Sequence, residues 1–132
     1  MSRDAALGPL SWADSDYTFR LRWSELILLQ EATDAGPFAL LERLAGKHWL
    51  VGDISHTIRL GLIGGGQKPE EALKLVRNYV ESRPPAENVM LAYAILAAGV
   101  QGAPDEAPGE AEGEDQKGES SMTSPTESSV SP

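Results

Sequence analysis

The chain contains no cysteine among its 132 residues. Disulfide bonds and thiol chemistry are therefore excluded, and the redox compartment stays open. No apolar run approaches the ~20 residues that a membrane-spanning helix requires, and the N-terminus lacks the apolar core of a signal peptide. We therefore expect a cytoplasmic protein that does not have a membrane as its partner.

A basic patch is also missing. The formal net charge is −9, and the segment 103–132, with eight acidic residues and one lysine, accounts for −7 of it. Nucleic acid is excluded as an expected partner, because the neutralisation of phosphates requires clustered lysine and arginine. The same segment has no aromatic residue and is rich in Gly, Glu, Ser, Pro and Ala. It cannot bury enough apolar surface to fold, so we expect it to be disordered.

Residues suited to metal binding or catalysis are few, and their spacing in the sequence does not match that of known sites. His48 and His56 are the two histidines, and with Asp53 they fall short of a metal site, which needs three or four ligands and an organised second shell. Gly61–Lys68 resembles a phosphate-binding loop only in its glycines, because Pro69 replaces the required hydroxyl residue and a helical pattern precedes it. No Ser-His-acid arrangement is visible. We therefore predict that the protein is not an enzyme and binds no metal or cofactor.

The stretch from Asp53 to the following glycines is the one around which we expect the fold to be organised. Asp53 is a good N-cap residue, and three aliphatics spaced four apart follow it on one face: Ile54, Ile58 and Leu62. The pattern ends in three glycines, Gly64, Gly65 and Gly66. Glycine ends helices in a left-handed conformation without strain, and Pro69 then starts another helix. We predict a helix of two to three turns, joined by a glycine hinge in which at least one φ is positive.

The N-terminal part contains one strand pattern. Apolar and polar residues alternate strictly over Tyr17–Trp23, which is typical of a half-buried strand. Its pairing partner is left open among Lys47–Val51, the segment around Leu10–Trp12, and a second copy of the protein. Four further helices are indicated besides the central one: 25–34 with Ser24 as its N-cap, 38–45, 69–82 and 86–100.

These elements predict a mainly α fold. It is a small helical domain of about five helices with a short N-terminal β element. The expected organisation is an N-terminal arm at 1–16, the helical domain at 17–102 and the disordered acidic tail at 103–132.

The predicted helical domain has more apolar side chains than a core of its size can bury, which favours a role in protein binding. One candidate surface is the strand with Tyr17, Phe19 and Trp23, which can extend the sheet of a partner or belong to the core. The other is the apolar last helix, with one stripe formed by Met90, Tyr93 and Ala97. We expect self-association, binding of a partner protein, or both.

Three stretches resemble the gene-ten products of gene transfer agents, the phage-like particles of alphaproteobacteria, and related prophage tail-cluster proteins. They are Phe19-Arg-Leu-Arg-Trp-Ser-Glu-Leu, Gly-Pro-Phe-Ala-Leu-Leu-Glu-Arg-Leu from Gly36, and Ile-Arg-Leu-Gly-Leu-Ile-Gly-Gly-Gly from Ile58. The resemblance covers residues 17–102 and implies a non-enzymatic role in building a tail. The partners it implies are the tape-measure protein and other tail proteins.

Three functions remain open on this basis. The first is an assembly chaperone that binds the aggregation-prone tape-measure protein, and the second is a structural subunit of the tail tube. The third is a small enzyme or an unrelated helical binding module. A tube subunit is expected to be rich in strands, so circular dichroism separates the first two.

Overall fold

The computed structural model describes residues 5–103 and contains a β-hairpin followed by five α-helices. The strands are β1 (Ala6–Trp12) and β2 (Ser15–Arg20), and the helices are α1 (Trp23–Thr33), α2 (Pro37–Ala45), α3 (Val51–Gly64), α4 (Pro69–Tyr79) and α5 (Val89–Gln101). A short 3-10 helix, Pro85–Asn88, leads into α5. The predicted mainly α fold with an N-terminal β element is confirmed. The acidic tail predicted to be disordered lies, beyond Ala103, outside the described residues.

The predicted strand pairs with the residues directly before it. β1 and β2 are antiparallel, and Trp12 lies opposite Ser15 at the turn. Of the three partners left open by the sequence, the segment around Leu10–Trp12 is therefore the one that pairs. The folded part of the chain thus includes residues of the expected N-terminal arm from Ala6 onward.

The strand is shorter than its alternating pattern predicts. β2 ends at Arg20. Phe19 and Leu21 lie in the core, where they are 0% and 1% exposed, but Trp23 is 81% exposed. The alternation fails at Trp23 because this residue begins α1, and helical geometry turns its side chain away from the core.

Two helices begin with the same arrangement, in which an acidic residue occupies the third helical position. The Glu25 carboxylate accepts a hydrogen bond from the Arg22 backbone N–H at 2.9 Å, and the Asp53 carboxylate accepts one from the Leu50 N–H at 2.8 Å. The predictions that Ser24 and Asp53 are N-cap residues are therefore wrong. A carboxylate at the third position can reach back and satisfy the amide at the helix start, so the helix begins earlier than a capping pattern suggests.

α3 is the centre of the fold, as the sequence predicts. It contacts β2 and each of the other four α-helices. The predicted apolar stripe is buried, with Ile54 1% exposed and Ile58 and Leu62 both 0% exposed. The helix has 14 residues, nearly four turns where two to three were expected. The underestimate follows from its earlier start and from its continuation into the glycine run.

The end of α3 forms a Schellman motif. The Gly66 N–H donates to the Ile63 carbonyl at 3.1 Å and the Gln67 N–H donates to the Leu62 carbonyl at 2.9 Å. Gly66 has φ +120°, which confirms the expectation of a positive φ in the glycine run. Because the turn is closed by two backbone hydrogen bonds, α3 stops at a defined place and the chain redirects into α4.

Gly64 and Gly65 have a different function from Gly66. A Cβ atom on Gly64 would collide with the carbonyl oxygen of Arg20, and one on Gly65 would collide with that of Thr18. The backbone of β2 therefore lies directly against the last turn of α3, at a distance that only glycine allows. The hinge expected from the glycine run stays a prediction, and this close approach is a second reason for glycine at two of its three positions.

Candidate protein-binding surface

α1 has apolar side chains on its solvent side as well as on its buried side. Leu29 is 1% exposed, but Ile27 and Leu28 are 46% and 50% exposed, and Trp23 at the start of the helix is 81% exposed. The four consecutive aliphatics of α1 are more than one buried face can take. The excess lies on the surface, which makes this face of α1 a candidate for binding another protein.

A groove of about 540 Å³ runs between α1 and the C-terminal end of α5. Its lining residues are Ala5, Leu21, Arg22, Trp23, Leu26, Ile27, Gln30, Pro37, Gly99 and Val100. We call it the α1–α5 groove. Among the lining residues that the structure describes, Arg22 is the one that carries a charge, so this part of the groove is apolar with a cation at its rim.

The predicted stripe of α5 does not itself line this groove. Met90 is 74% exposed and Tyr93 and Ala97 are half-buried, whereas the groove is lined by Val100, which the sequence assigned to a different stripe and which is 38% exposed. The three stripe residues follow one another at spacings of three and four, so they share one face of the helix. The structure thus places Trp23 beside Val100 at the C-terminal end of α5, and the stripe of Met90, Tyr93 and Ala97 stays a separate prediction.

The strand surface predicted from the sequence differs from what the structure forms. Phe19 is 0% exposed and packs edge-on against Trp12, with ring centroids 5.7 Å apart. It belongs to the core and is not available to a partner, which corrects the assignment of Phe19 to a binding surface. The edge of β2 that would extend a partner's sheet faces the end of α3, where Thr18 and Arg20 direct their carbonyl oxygens.

Tyr17 remains at the hairpin surface and is half-buried. Its hydroxyl donates a hydrogen bond of 2.6 Å to the Asp14 carboxylate. This hydrogen bond, together with burial, raises the pKa of Tyr17 to about 12. Tyr17 therefore stays protonated at physiological pH and stabilises the hairpin turn.

Asp53 joins three helices through a buried ion pair. It is 1% exposed, and its carboxylate accepts a hydrogen bond of 2.7 Å from Arg43 of α2 as well as the bond from Leu50. Arg43 also approaches the Thr33 carbonyl at the end of α1, at 3.4 Å. Both carboxylate oxygens of Asp53 are thus engaged in holding α1, α2 and α3 together.

The two histidines are not brought together with other metal-binding groups. His48 is exposed, whereas His56 is half-buried with its Nδ1 atom 3.1 Å from the Arg59 guanidinium. Burial and the charge of Arg59 lower the pKa of His56. Within residues 5–103, no cluster of three or more His, Cys, Asp or Glu is placed to hold a metal ion.

The backbone amides of the glycine run are already hydrogen-bonded. The N–H groups of Gly65, Gly66 and Gln67 all donate to carbonyls of α3. A phosphate loop needs such amides to be free and convergent, so this turn ends a helix and does not form that kind of site. Among the helices that the structure describes, none has the length and apolar character to cross a membrane.

Sequence reasoning missed the groove itself. It identified Trp23, the apolar excess of α1 and the α5 stripe, but it did not bring α1 next to the end of α5. The only available signal was the run Leu26–Leu29, whose four aliphatics cannot all lie on one helical face.

Comparison with known proteins places the chain among tail proteins. No curated protein and no solved structure matches it. A protein family described as phage tail tube protein, GTA-gp10, matches residues 9–102. The match covers most of the chain, including the hairpin from Pro9 and all five α-helices. The chain therefore belongs to the GTA-gp10 family of phage tail proteins.

Proposed function

We propose that the protein is a tail assembly chaperone and that its α1–α5 groove binds an apolar helix of the tape-measure protein. The observation that carries this proposal is the groove itself, which is concave and apolar and has a volume of about 540 Å³. A chaperone for a long, aggregation-prone helical protein must cover apolar side chains of that protein during assembly. Such a surface suits this task.

The groove has the features of a helix-binding site. Helix-in-groove recognition uses apolar anchors of the partner at helical spacing. Here Trp23 and Ile27 line one side and Val100 lines the other. Arg22 at the rim, with its side chain 57% exposed, favours an acidic residue beside the partner's apolar stripe.

The strands favour a chaperone over a tube subunit. A tube built by sheet extension needs open strand edges on each subunit. The β2 edge faces α3 at Gly64 and Gly65, and β1 contains Pro9, with irregular pairing between Leu7 and Leu10. Proline cannot donate a backbone hydrogen bond, so β1 is poorly suited to pairing with a neighbouring subunit.

The test is co-expression with the tape-measure protein of the same tail gene cluster, followed by affinity capture. Ile27→Glu and Val100→Glu each place a charge on an exposed side chain that lines the groove, so the fold is expected to be kept. We expect each variant to lose at least ~10-fold of the captured tape-measure protein, because a buried charge without a partner is costly.

Leu73→Glu is the matched control. Leu73 is 38% exposed on α4 and does not line the groove. We expect this variant to capture as much tape-measure protein as the wild type. Folded groove variants that capture wild-type amounts would contradict the proposal.

The alternative is a structural subunit of the tail tube, which the family description itself names. The two functions differ in the finished particle. An assembly chaperone is absent from purified tails, whereas a tube subunit is present there in many copies. Quantification of the protein in purified particles by mass spectrometry therefore decides between them, and a many-copy result would favour the tube subunit.

A further inference from the structure

A second cleft lies at the N-terminal end of α3. It has a volume of about 290 Å³ and is lined by Val51, Gly52, Ser55, Val80, Glu81, Arg83 and Pro85. We call it the α3 cleft. Val51 is 65% exposed and the neighbouring Leu50 is 63% exposed. This end of the molecule therefore also presents apolar side chains to solvent, apart from the α1–α5 groove.

Trp23 and the α3 cleft lie at opposite ends of the molecule. A Cβ on Gly64, the last residue of α3, would lie 3.1 Å from the Glu25 carboxylate, so the start of α1 with Trp23 is next to the C-terminal end of α3. Val51 is the first residue of α3. A helix of 14 residues is about 21 Å long. Trp23 therefore cannot reach the cleft of its own chain, but it can reach that of a second copy.

The two ends are complementary in charge. Beside Trp23, the Arg22 side chain is 57% exposed while its ion-pair partner Glu25 is 5% exposed, so a neighbour meets the cation. In the α3 cleft, Arg83 is paired with Glu87 at 3.2 Å. Glu81 is exposed there and has no salt bridge within residues 5–103. Both ends thus present apolar side chains. The α3 end carries two exposed acids, Glu81 and Glu87, and one exposed cation, Arg83, so its net charge is negative and opposite in sign to the exposed Arg22.

We infer that Trp23 of one copy docks into the α3 cleft of a second copy, with Arg22 facing Glu81. Tryptophan is enriched among the residues that dominate protein–protein binding. The contact joins two different surfaces, so it is head-to-tail and produces a ring or a filament of copies. This inference goes beyond the proposed chaperone function, because it concerns the contact of the protein with itself.

The test uses two variants that each remove one half of the contact. Trp23→Ala removes the inserted side chain, and Val51→Asp places a charge in the cleft beside Glu81. Both residues are exposed, and an acid in the first turn of α3 is favourable for the helix dipole, so both variants are expected to fold. Sedimentation or light scattering then measures mass against concentration. We expect each variant to raise the dissociation constant by about 30-fold or more.

Mixing the two variants gives the decisive result. An equimolar mixture retains one intact contact, between Trp23 of the Val51→Asp chain and the cleft of the Trp23→Ala chain. It is expected to form dimers, at twice the 14.1 kDa mass of the chain, and nothing larger. A contact between identical surfaces would not be restored in this way.

Phe38→Ala serves as the matched control, since Phe38 is another exposed aromatic residue, at 64% exposure, and lines neither surface. It is expected to assemble like the wild type. Glu81→Lys, a second cleft variant, is expected to weaken assembly and covers the case in which Val51→Asp does not fold. The inference is overturned if the wild type stays monomeric up to about 1 mM. It is also overturned if folded single variants still assemble, or if the mixture of the two variants stays monomeric. None of these measurements involves the tape-measure protein, so their failure is distinct from failure of the chaperone proposal.

Discussion

Replacement of Gly64 by alanine tests why glycine stands at the end of α3. The new Cβ would collide with the Arg20 carbonyl oxygen of β2. Because this oxygen belongs to the backbone, it cannot move away by rotating a side chain, and β2 has to shift from α3. Overpacking of this kind costs roughly 1–3 kcal/mol, and a backbone neighbour places the cost at the upper end. Part of this cost is offset, because alanine is more favourable than glycine within a helix by up to ~1 kcal/mol.

The expected net loss in the free energy of unfolding is therefore about 2 kcal/mol. For a domain of this size, that lowers the melting temperature by roughly 10 °C. Thermal and urea unfolding followed by circular dichroism measure it. Gly52→Ala is the matched control in the same helix, because its Cβ would meet only the His56 side chain, at an ordinary distance of 3.4 Å. We expect this control to be neutral or slightly stabilising.

The comparison separates two reasons for glycine at this position. If Gly64 serves only to make the turn flexible, alanine there is tolerated, because its φ is not in the left-handed region. A Gly64→Ala variant that melts with the wild type or with the Gly52→Ala variant would refute the close approach of β2. Gly66→Ala is expected to destabilise for another reason, its φ of +120°, by about 1–3 kcal/mol.

Three further predictions follow from buried groups and from the tail. Asp53→Ala leaves the Arg43 guanidinium without its partner and removes the Leu50 cap, so a loss of about 3–5 kcal/mol is expected in urea unfolding; a loss below 1 kcal/mol would refute this. The pKa of His56 is lower in the folded chain than in the unfolded chain, so on acidification the unfolded chain binds a proton at a higher pH than the folded one. The free energy of unfolding is therefore expected to fall as the pH drops below about 6.5, and His56→Gln should flatten this pH dependence. A chain ending at Gly102 is expected to unfold cooperatively at the wild-type melting temperature; a non-cooperative transition would show that the acidic segment contributes to folding.

Local signals in the sequence were sufficient for the class of fold. The spacing of Ile54, Ile58 and Leu62 identified α3 as central, and Pro37 and Pro69 marked helix starts that the structure retains. These features depend on residues a few positions apart, and helical periodicity acts over the same distance. The exact helix starts at α1 and α3 were missed, because Glu25 and Asp53 can cap from inside the helix as well as from its end.

The candidate site was only partly accessible from the sequence. Trp23 and the α5 stripe with Met90, Tyr93 and Ala97 were identified, and the structure leaves Trp23 and Met90 exposed. Phe19 was placed on the same strand face as Trp23, although one is buried and the other exposed. A period-2 pattern cannot indicate where a strand gives way to a helix, and that change decides which side chain faces solvent.

The sequence by itself determined which elements form, since capping acids, prolines, glycines and apolar periodicity act within a few residues of one another. Only the tertiary structure decided how those elements meet. That α1 lies beside the end of α5, and so forms a groove from residues more than 70 positions apart, depends on how β2 and four helices pack around α3. The same packing explains Gly64 and Gly65, whose need for glycine comes from Arg20 and Thr18 of a distant strand. Such contacts depend on the shapes of both elements that meet, and the local sequence of one element contains no information on the shape of the other.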